Sequence, residues 1–374
     1  MSAADSTIYL DYAATSPLAP GVIEAMQQAL VATDANPASP HGPGRAAAGL
    51  IDTAAEEVAG LINTQARNLV WTSGATESIN LALKGMAGFV GAGTHIVSVV
   101  TEHSATLDTL DWLEKQGVRV TRLAVQGDGR IDLDALEAAL EDDATLVSIM
   151  HVNNETGAIQ DIAAVGERCS AHGVPLHVDA AQSLGRLPID VQAMNIALLS
   201  LSAHKIGGPT GVGALLVRPG RAITSLLRGG GQEQGRRSGT ENVIGIAGFG
   251  GAAQAAFNNI AHYRRMAAWR DQMESQILRQ RDDVTLFGAG AGRIGNTCCL
   301  ALGERSSETM VMALDLAGVA VSAGSACSSG KVYESHVLKA MGAGQNAGRA
   351  IRISGGWNSA EADFEKLAEV LVAL

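Results

Sequence analysis

Aromatic residues are scarce in this chain: they make up 3% of its 374 residues, whereas glycine occurs 44 times. Few bulky side chains and many small ones indicate closely packed helices and many tight turns. Because 47% of the residues are hydrophobic and 17% are charged, the sequence excludes a disordered chain. Its length predicts two domains, or one large domain with a smaller one.

Positive charge is also scarce. The chain has 27 Lys and Arg against 38 Asp and Glu, a net charge of -11, and no basic run longer than the pairs Arg236-Arg237 and Arg264-Arg265. Binding to nucleic acid requires clustered positive charge. We therefore expect no nucleic-acid partner.

Long runs of large apolar residues are missing. The first residues show no basic region followed by an apolar stretch, so no secretory signal is predicted. Residues 242–263 contain no Asp, Glu, Lys or Arg, but they are mostly small or polar, which predicts a buried helix rather than a membrane span. We expect no membrane association.

Cysteine occurs only four times, without the spacing of a disulfide framework or a metal site. This usage predicts no metal and a reducing, cytoplasmic location. Cys169 follows a helical pattern and is expected to be inert, and of the consecutive Cys298 and Cys299 at least one should lie in the core. Cys327 differs, because the stretch "VSAGSACSSGK" surrounds it with small and polar residues.

Short apolar runs alternate with helical patterns over the first two-thirds of the chain, which predicts an α/β fold with a mostly parallel sheet covered on both faces. After the helix at 242–263 the pattern changes. A helix at about 264–281, a strand near 296–302, the helix "SETMVMALDLAG" and a terminal helix from Ser359 predict a smaller α+β C-terminal domain. We expect a large domain at 15–260 and a small one at 261–374 that includes the N-terminal segment 1–14. The predicted strands of the large domain lie at 68–72, 94–100, 119–125, 145–152, 175–180, 196–202 and 212–217.

The stretch "GAGRIG" at 290–295 matches the spelling of a dinucleotide-binding turn. The residues after it, "NTCCLAL", predict a strand, so no helix N-terminus is available for a pyrophosphate. We interpret it as a loop.

The strongest chemical pattern is "HVDAAQS" followed by "LSLSAHKIGGPTGVG". Asp179 and Lys205 each lie at the end of a predicted strand, where ligands collect in open α/β sheets. For an arbitrary Asp and Lys a simple ion pair is the better interpretation. Here Ser202 and His204 crowd beside Lys205, and a glycine-rich turn follows that lets the backbone approach a ligand.

A second glycine turn, "VWTSGATESINLAL", places Ser73, Gly74 and Thr76 between a strand and a helix that begins near Thr76. It is either an ordinary capped helix start or an anion site built from free N–H groups. An anion site, a strand-end lysine and a strand-end carboxylate together indicate pyridoxal phosphate, in which a lysine forms a Schiff base and a carboxylate keeps the ring nitrogen protonated.

Eight motifs resemble, in order and spacing, the pyridoxal-phosphate-dependent cysteine desulfurases of the class V aminotransferase group, in the branch with the longer cysteine loop. They are "YLDYAAT", "SGATES", "TEHSA", "HVNNETG", "HVDAAQS", "SAHKIGGPTGVGAL", "RSGTEN" and "SAGSAC", and they span almost the whole chain. The resemblance implies a fold-type I pyridoxal-phosphate transferase.

The resemblance also implies roles for individual residues. Lys205 is the Schiff-base lysine, His103 stacks on the ring and moves protons, and Cys327 is the nucleophile that receives sulfur. The residues expected to bind the cofactor are Ala75, Thr76, Asn154, Asp179 at the ring nitrogen, Gln182 at the phenolic oxygen, Ser202, His204, and Thr240 from the other subunit of a homodimer. Asn154 and Arg352 are expected to bind the substrate carboxylate.

The implied activity is conversion of L-cysteine to L-alanine through a persulfide on Cys327, which supplies sulfur to an acceptor or scaffold protein for iron-sulfur clusters or thiolation. A selenocysteine lyase is the nearest alternative. A non-catalytic adaptor of the same fold is another, although it has no chemical need for a complete set of Lys205, Asp179, His103 and Cys327. Without the family pattern His103 would be interpreted as a packed histidine, and Arg236 and Arg237 as solvent-facing.

Overall fold

The computed structural model describes residues 7–32, 34–88, 93–290, 292–324 and 334–374. Its largest sheet has seven strands: β2 (Leu69–Thr72), β3 (His95–Val99), β4 (Arg119–Leu123), β5 (Leu146–Met150), β6 (Leu176–Asp179), β7 (Leu198–Ser202) and β8 (Gly213–Val217). Their order across the sheet is β2-β8-β7-β6-β5-β3-β4. Only β8 runs opposite to the other six strands, so the prediction of a mostly parallel sheet is confirmed.

Helices cover both faces of this sheet, as expected for strands that are apolar along their whole length. The helices are α1 (Val22–Ala32), α2 (Gly42–Gly60), α3 (Ala75–Met86), α4 (Ser104–Lys115), α5 (Leu133–Glu141), α6 (Ile162–Ala171) and α7 (Val243–Gln280). One face of the sheet packs against α3 and α4, and the other packs against α2, α5, α6 and the first half of α7.

The remaining elements are β1 (Ile8–Tyr9), β9 (Val284–Phe287), β10 (Thr297–Leu302), β11 (Val319–Ala320), β12 (Ser322–Ala323), β13 (Ile351–Ser354), α8 (Ser307–Leu316), α9 (His336–Ala340) and α10 (Glu361–Ala373). Four of these strands form a smaller antiparallel sheet in the order β12-β13-β10-β9, which confirms the α+β character of the C-terminal part. The short strands β1 and β11 pair in parallel and so join the N-terminal segment to this C-terminal part.

The expectation of separate helices at 242–263 and about 264–281 is wrong, because α7 is one continuous helix of 38 residues. The sequence changes near Arg264 from small residues to a charged, amphipathic pattern. This change marks a change of packing partner: Phe249 packs in the core of the large sheet, whereas Met266 and Ile277 pack in that of the small sheet. The helix therefore runs through the expected domain boundary at 260 and 261, and that division stays a prediction.

Two sequence interpretations are confirmed in the small sheet. The stretch at 290–295, of which residue 291 lies outside the described part, is followed by β10 and not by a helix. Cys298 and Cys299 lie on opposite faces of β10, and both are buried. Across the described ranges, no helix has the length and apolar character that crossing a membrane requires.

Candidate active site

A cavity of about 430 Å³ lies at the C-terminal edge of the large sheet. Met150, Asp179 and Ser202, the last residues of β5, β6 and β7, line it. This is the edge at which open α/β sheets bind ligands. The predicted residues Ala75, Thr76, His103, Asn154, Asp179, Gln182, Ser202, His204, Lys205 and Arg352 all line this cavity.

The turn between β2 and α3 forms one end of the cavity. Gly74 is the N-cap of α3 with φ 155° and no capping side chain, so the first amides of the helix are left for a ligand. A Cβ on Gly213 of β8 would lie 2.6 Å from the Gly74 Cα, and the two backbones therefore pack where only glycine fits. The exposed amides and the helix dipole suit an anion such as a phosphate.

Lys205 lies on a short 3-10 turn, Ala203–Ile206, between β7 and β8. Its Nζ donates to the carbonyl oxygens of Ala13 over 2.6 Å and Ala14 over 2.8 Å. Burial, and next the positive charge of Arg352, lowers the pKa of Lys205 from 10.5 to about 8. A lysine with a lowered pKa is partly neutral near physiological pH and can act as a nucleophile or base.

Asp179 and His103 face the same cavity. Burial raises the pKa of Asp179, although the nearby His103 and Lys205 act in the opposite direction, and its Oδ1 accepts from the N–H of Ala181 over 2.9 Å. Burial lowers the pKa of His103. Its Nδ1 accepts from the N–H of Ala105 over 3.1 Å at the start of α4, so the neutral ring carries its proton on Nε2.

Gln182 is held by Arg186, a residue that the sequence analysis did not single out. Arg186 is 1% exposed, and its Nη1 donates to Gln182 Oε1 over 2.6 Å. Its Nη2 donates to the carbonyl oxygen of Lys205 over 2.7 Å. Gln182 Nε2 in turn donates to Ala13 O over 2.9 Å. Arg186 thus orients the backbone of the lysine and the amide beside it.

His204 lies on the same turn as Lys205, two residues after Ser202, and its Nδ1 is 3.1 Å from Thr15 Oγ1. Burial, and next the positive charge of Lys205, lowers the pKa of His204 to about 4. The ring is therefore neutral at physiological pH. With the hydroxyl of Ser202 it offers uncharged polar groups near the turn that begins α3.

Arg352 lies on β13, a strand that the sequence analysis did not predict. Its Nη1 donates to the backbone oxygen of Asn154 over 3.1 Å, and its Nη2 lies 2.8 Å from Asp11 Oδ1. The buried Nε has no protein partner among the described residues. A guanidinium fixed on one side with a free N–H suits a carboxylate ligand. Asp11 belongs to the motif "YLDYAAT", but no role was predicted for it.

Thr240 does not line the main cavity. It lines a second cavity of about 90 Å³ together with Ser73 and Arg237. Arg237 is not purely solvent-facing as expected, because its Nε lies 3.0 Å from Glu77 Oε1. Glu77 also accepts from the N–H of Ser73 over 2.7 Å, so this pair supports the turn before α3.

Cys327 lies outside the described residues. The other three cysteines are free and buried. Burial raises the pKa of Cys169 to about 12 and also raises those of Cys298 and Cys299, so these thiols stay protonated and unreactive at neutral pH. Trp357 does not line the cavity; it packs against the core of the large sheet and donates through Nε1 to Pro17 O over 3.0 Å.

The residues around the cavity fit pyridoxal phosphate. The amides at the start of α3 suit its phosphate, and the buried carboxylate of Asp179 requires a cationic partner such as a protonated ring nitrogen. Lys205 supplies an amine with a lowered pKa. The cavity volume of about 430 Å³ lies in the usual range for such ligands.

This fold and site define a pyridoxal-phosphate-dependent enzyme of the α/β type. The chain belongs to the aminotransferase class-V family, whose model matches residues 8–367. It is 46% identical over 342 residues to the cysteine desulfurase IscS of Serratia proteamaculans, which covers 90% of this chain and 84% of that protein.

Solved structures agree with this assignment. A NifS-like protein superposes with a TM-score of 0.90 at 32% identity, covering 98% of both chains. The structure described as SspA in complex with cysteine superposes with a TM-score of 0.81 at 34% identity, covering 93% of this chain and 98% of that chain.

Proposed function

We propose that this enzyme is a cysteine desulfurase that converts L-cysteine to L-alanine and keeps the sulfur as a persulfide on Cys327. The observation that carries the proposal is the meeting of Lys205, Asp179 and Arg352 around one cavity in a chain with cysteine desulfurase relatives. Bound pyridoxal phosphate supplies an electron sink for charge that develops at the substrate Cα.

Each side chain has one task in this proposal. Arg352 and Asn154 bind the substrate carboxylate and orient the amino acid. Asp179 would keep the ring nitrogen of bound pyridoxal phosphate protonated. The neutral amine of Lys205 removes the proton from the substrate Cα, and His103, through the proton on Nε2, moves protons near the reacting atoms.

Cys327 performs the sulfur transfer. Its thiolate attacks the substrate sulfur, so that an S–S bond forms while the substrate C–S bond breaks. The substrate carbon keeps the electron pair of that bond and takes up a proton, which yields alanine. Support comes from elimination, since the three described cysteines are buried and their pKa values are raised.

The homodimer, the sulfur acceptor and the cytoplasmic location also belong to the proposal. Thr240 lies away from the main cavity of its own chain, as expected if it reaches the cofactor phosphate of a partner subunit. The persulfide would pass its outer sulfur to an acceptor or scaffold protein. Three free buried cysteines fit a reducing compartment such as the cytoplasm.

The test measures alanine formed from L-cysteine by the holoenzyme in the presence of a thiol acceptor, with selenocysteine as a parallel substrate. Cys327→Ser should still bind cofactor and cysteine but form no persulfide, whereas Cys169→Ser, a change at a buried thiol, should keep the activity. Undiminished sulfide release by Cys327→Ser would contradict the proposal. If alanine forms from selenocysteine but not from L-cysteine, the enzyme is a selenocysteine lyase instead.

A further inference from the structure

Glu155 is a buried carboxyl group that the proposed reaction does not use. It directly follows Asn154 in the loop after β5 and is 3% exposed. Its N–H donates to Asn153 Oδ1 over 3.0 Å, in a turn that also binds the N–H of Thr156. The position of Glu155 is therefore fixed. Because a buried carboxyl group is costly without partners, its contacts indicate its role.

These contacts lie on both sides of residues 325–333, the segment that contains Cys327. Ser335 Oγ, after the segment, donates to Glu155 Oε2 over 2.5 Å. Before the segment, a Cβ placed on Gly324 would lie 3.5 Å from the same oxygen, so the Gly324 backbone lies beside the carboxyl group. One side chain thus adjoins the chain before and after the segment.

Gly324 and Ser335, the two residues beside the Glu155 carboxyl group, each have a hydrogen bond with another residue. The N–H of Gly324 donates to Ala350 O over 3.0 Å, next to β13. The Ser335 hydroxyl also accepts from the N–H of Leu338 over 3.0 Å and so caps α9. The hydrogen bond from Ser335 therefore connects Glu155 to the start of a helix.

Two titratable groups of neighbouring strands interact with Glu155: Arg352 on β13 and Cys299 on β10. Burial raises the pKa of Glu155 to about 7, while the Ser335 hydrogen bond and the charge of Arg352 lower it. The Cys299 thiol stays neutral because burial raises its pKa. Glu155 thus changes charge near neutral pH, and its ionised form is the stronger acceptor for Ser335.

We propose that Glu155 is a positioning residue for the nucleophile: its carboxylate accepts from Ser335 and packs beside Gly324, and so it sets the positions of the two described residues that flank the segment containing Cys327. This inference rests on the proposed function and deepens it. It adds a group that acts on the sulfur-transfer step without touching the substrate. Ser322, two residues before Gly324, is paired with Arg352 in the sheet, which places this end near the expected carboxylate site.

The first experiment measures hydrogen-deuterium exchange of the holoenzyme. Glu155→Gln should exchange about tenfold faster at the amide of Leu338, because its acceptor Ser335 loses a charge-assisted hydrogen bond. The amide of Gly324, which packs beside the same carboxyl group, should also exchange faster. The control Glu274→Gln alters another buried carboxylate, which pairs with Arg293 over 2.7 Å, and should leave these two amides unchanged. Wild-type exchange in Glu155→Gln overturns the inference, and no turnover is needed for this result.

The second experiment separates cysteine binding from sulfur transfer in a single turnover between about pH 6 and pH 8. Glu155→Gln should bind cysteine within about twofold of wild type but form alanine about 10- to 100-fold more slowly, as for a reacting group displaced by about 1 Å. Its pH profile should lack the step near pH 7, and Glu155→Asp should restore part of the rate. Ser335→Ala should move the step to higher pH, because the Ser335 hydrogen bond lowers the pKa of Glu155.

The outcomes distinguish the two proposals. An equal loss of cysteine affinity and rate in Glu155→Gln would assign it to substrate binding and overturn the inference, as would an unchanged rate and pH profile. If the wild-type enzyme forms no alanine from cysteine, the proposed function fails instead. The exchange experiment then decides alone whether Glu155 holds Gly324 and Ser335.

Discussion

Asp11 and Arg352 form an ion pair with 2.8 Å between Oδ1 and Nη2, although 341 residues separate them in the sequence. Asp11 also accepts from Ser322 Oγ over 2.7 Å, so its carboxylate joins the N-terminal segment to two strands of the small sheet. The guanidinium expected to bind substrate is thus held by a residue from the opposite end of the chain.

Asp11→Ala should lower the free energy of unfolding by about 3 kcal/mol, because it leaves the buried Arg352 without its counter-charge. Denaturant titration of the variant measures this loss. The control Asp34→Ala, at an exposed position, should change stability by no more than about 0.5 kcal/mol. Equal stability of the two variants would show that the ion pair contributes nothing.

The lowered pKa of Lys205 predicts how the apoprotein takes up pyridoxal phosphate. With a pKa of about 8 instead of 10.5, the neutral amine makes up roughly a quarter of the population at about pH 7.5, against roughly one part in a thousand for an ordinary lysine. Uptake followed by visible absorbance should therefore accelerate with rising pH, with a midpoint near 8. Lys205→Ala should never develop this absorbance band.

Arg352→Gln tests the cause of this shift. Arg352 is one of the charges that lower the pKa of Lys205, so its removal should move the midpoint of the uptake rate to higher pH. A midpoint that stays near 8 would assign the shift to burial and Arg186 alone. A wild-type midpoint near 10 would show that Lys205 is not perturbed.

The large sheet could be predicted from the sequence because strands buried on both faces form continuous apolar runs, as in β5 and β7. The strand β13 was missed, since "IRIS" is short and carries the charged Arg352. The partners of Arg352 and Glu155 were missed for a different reason. Asp11 and Ser335 lie far from them in the sequence, and no local pattern reports a contact that only the tertiary fold creates. Residues that belong to long motifs, such as Lys205, were identified more easily.

The Glu77–Arg237 pair should control cofactor affinity. Burial alone would raise the pKa of Glu77, but hydrogen bonds from Arg237 and Ser73 outweigh it and hold the pKa below its usual range, so Glu77 is a carboxylate beside the expected phosphate site. Arg237→Ala leaves this negative charge unpaired and should weaken pyridoxal phosphate binding about tenfold, equal to about 1.4 kcal/mol.

The double variant Glu77→Gln/Arg237→Ala provides the control for that prediction. Because Gln removes the unpaired charge, the double variant should bind pyridoxal phosphate more tightly than Arg237→Ala alone. Equilibrium dialysis measures both affinities. If the two variants lose the same affinity, repulsion by Glu77 is not the cause, and Arg237 acts directly on the phosphate or only on the fold.

His177 should make the fold sensitive to acid. It lies inside the large sheet, where Nδ1 is 2.9 Å from Ser148 Oγ and Nε2 is 2.8 Å from Ser200 Oγ, and burial lowers its pKa to about 3. Between this value and the ordinary 6.5, the unfolded chain binds a proton that the native protein does not. His177 therefore favours the fold fully above about pH 6.5, and this contribution falls by up to about 1.4 kcal/mol per pH unit as the pH decreases.

Denaturant midpoints measured from about pH 7.5 down to about pH 4.5 test this dependence. His177→Gln should be less stable than wild type at neutral pH, because it loses its fitted hydrogen bonds, but its stability should decline less steeply with acid. Ser200→Ala keeps the titrating ring and removes one partner, so its curve should lie about 1–3 kcal/mol below wild type with the same slope. An equally steep decline in His177→Gln would mean that other groups, such as His151 with its pKa lowered by burial to about 4, govern the acid response.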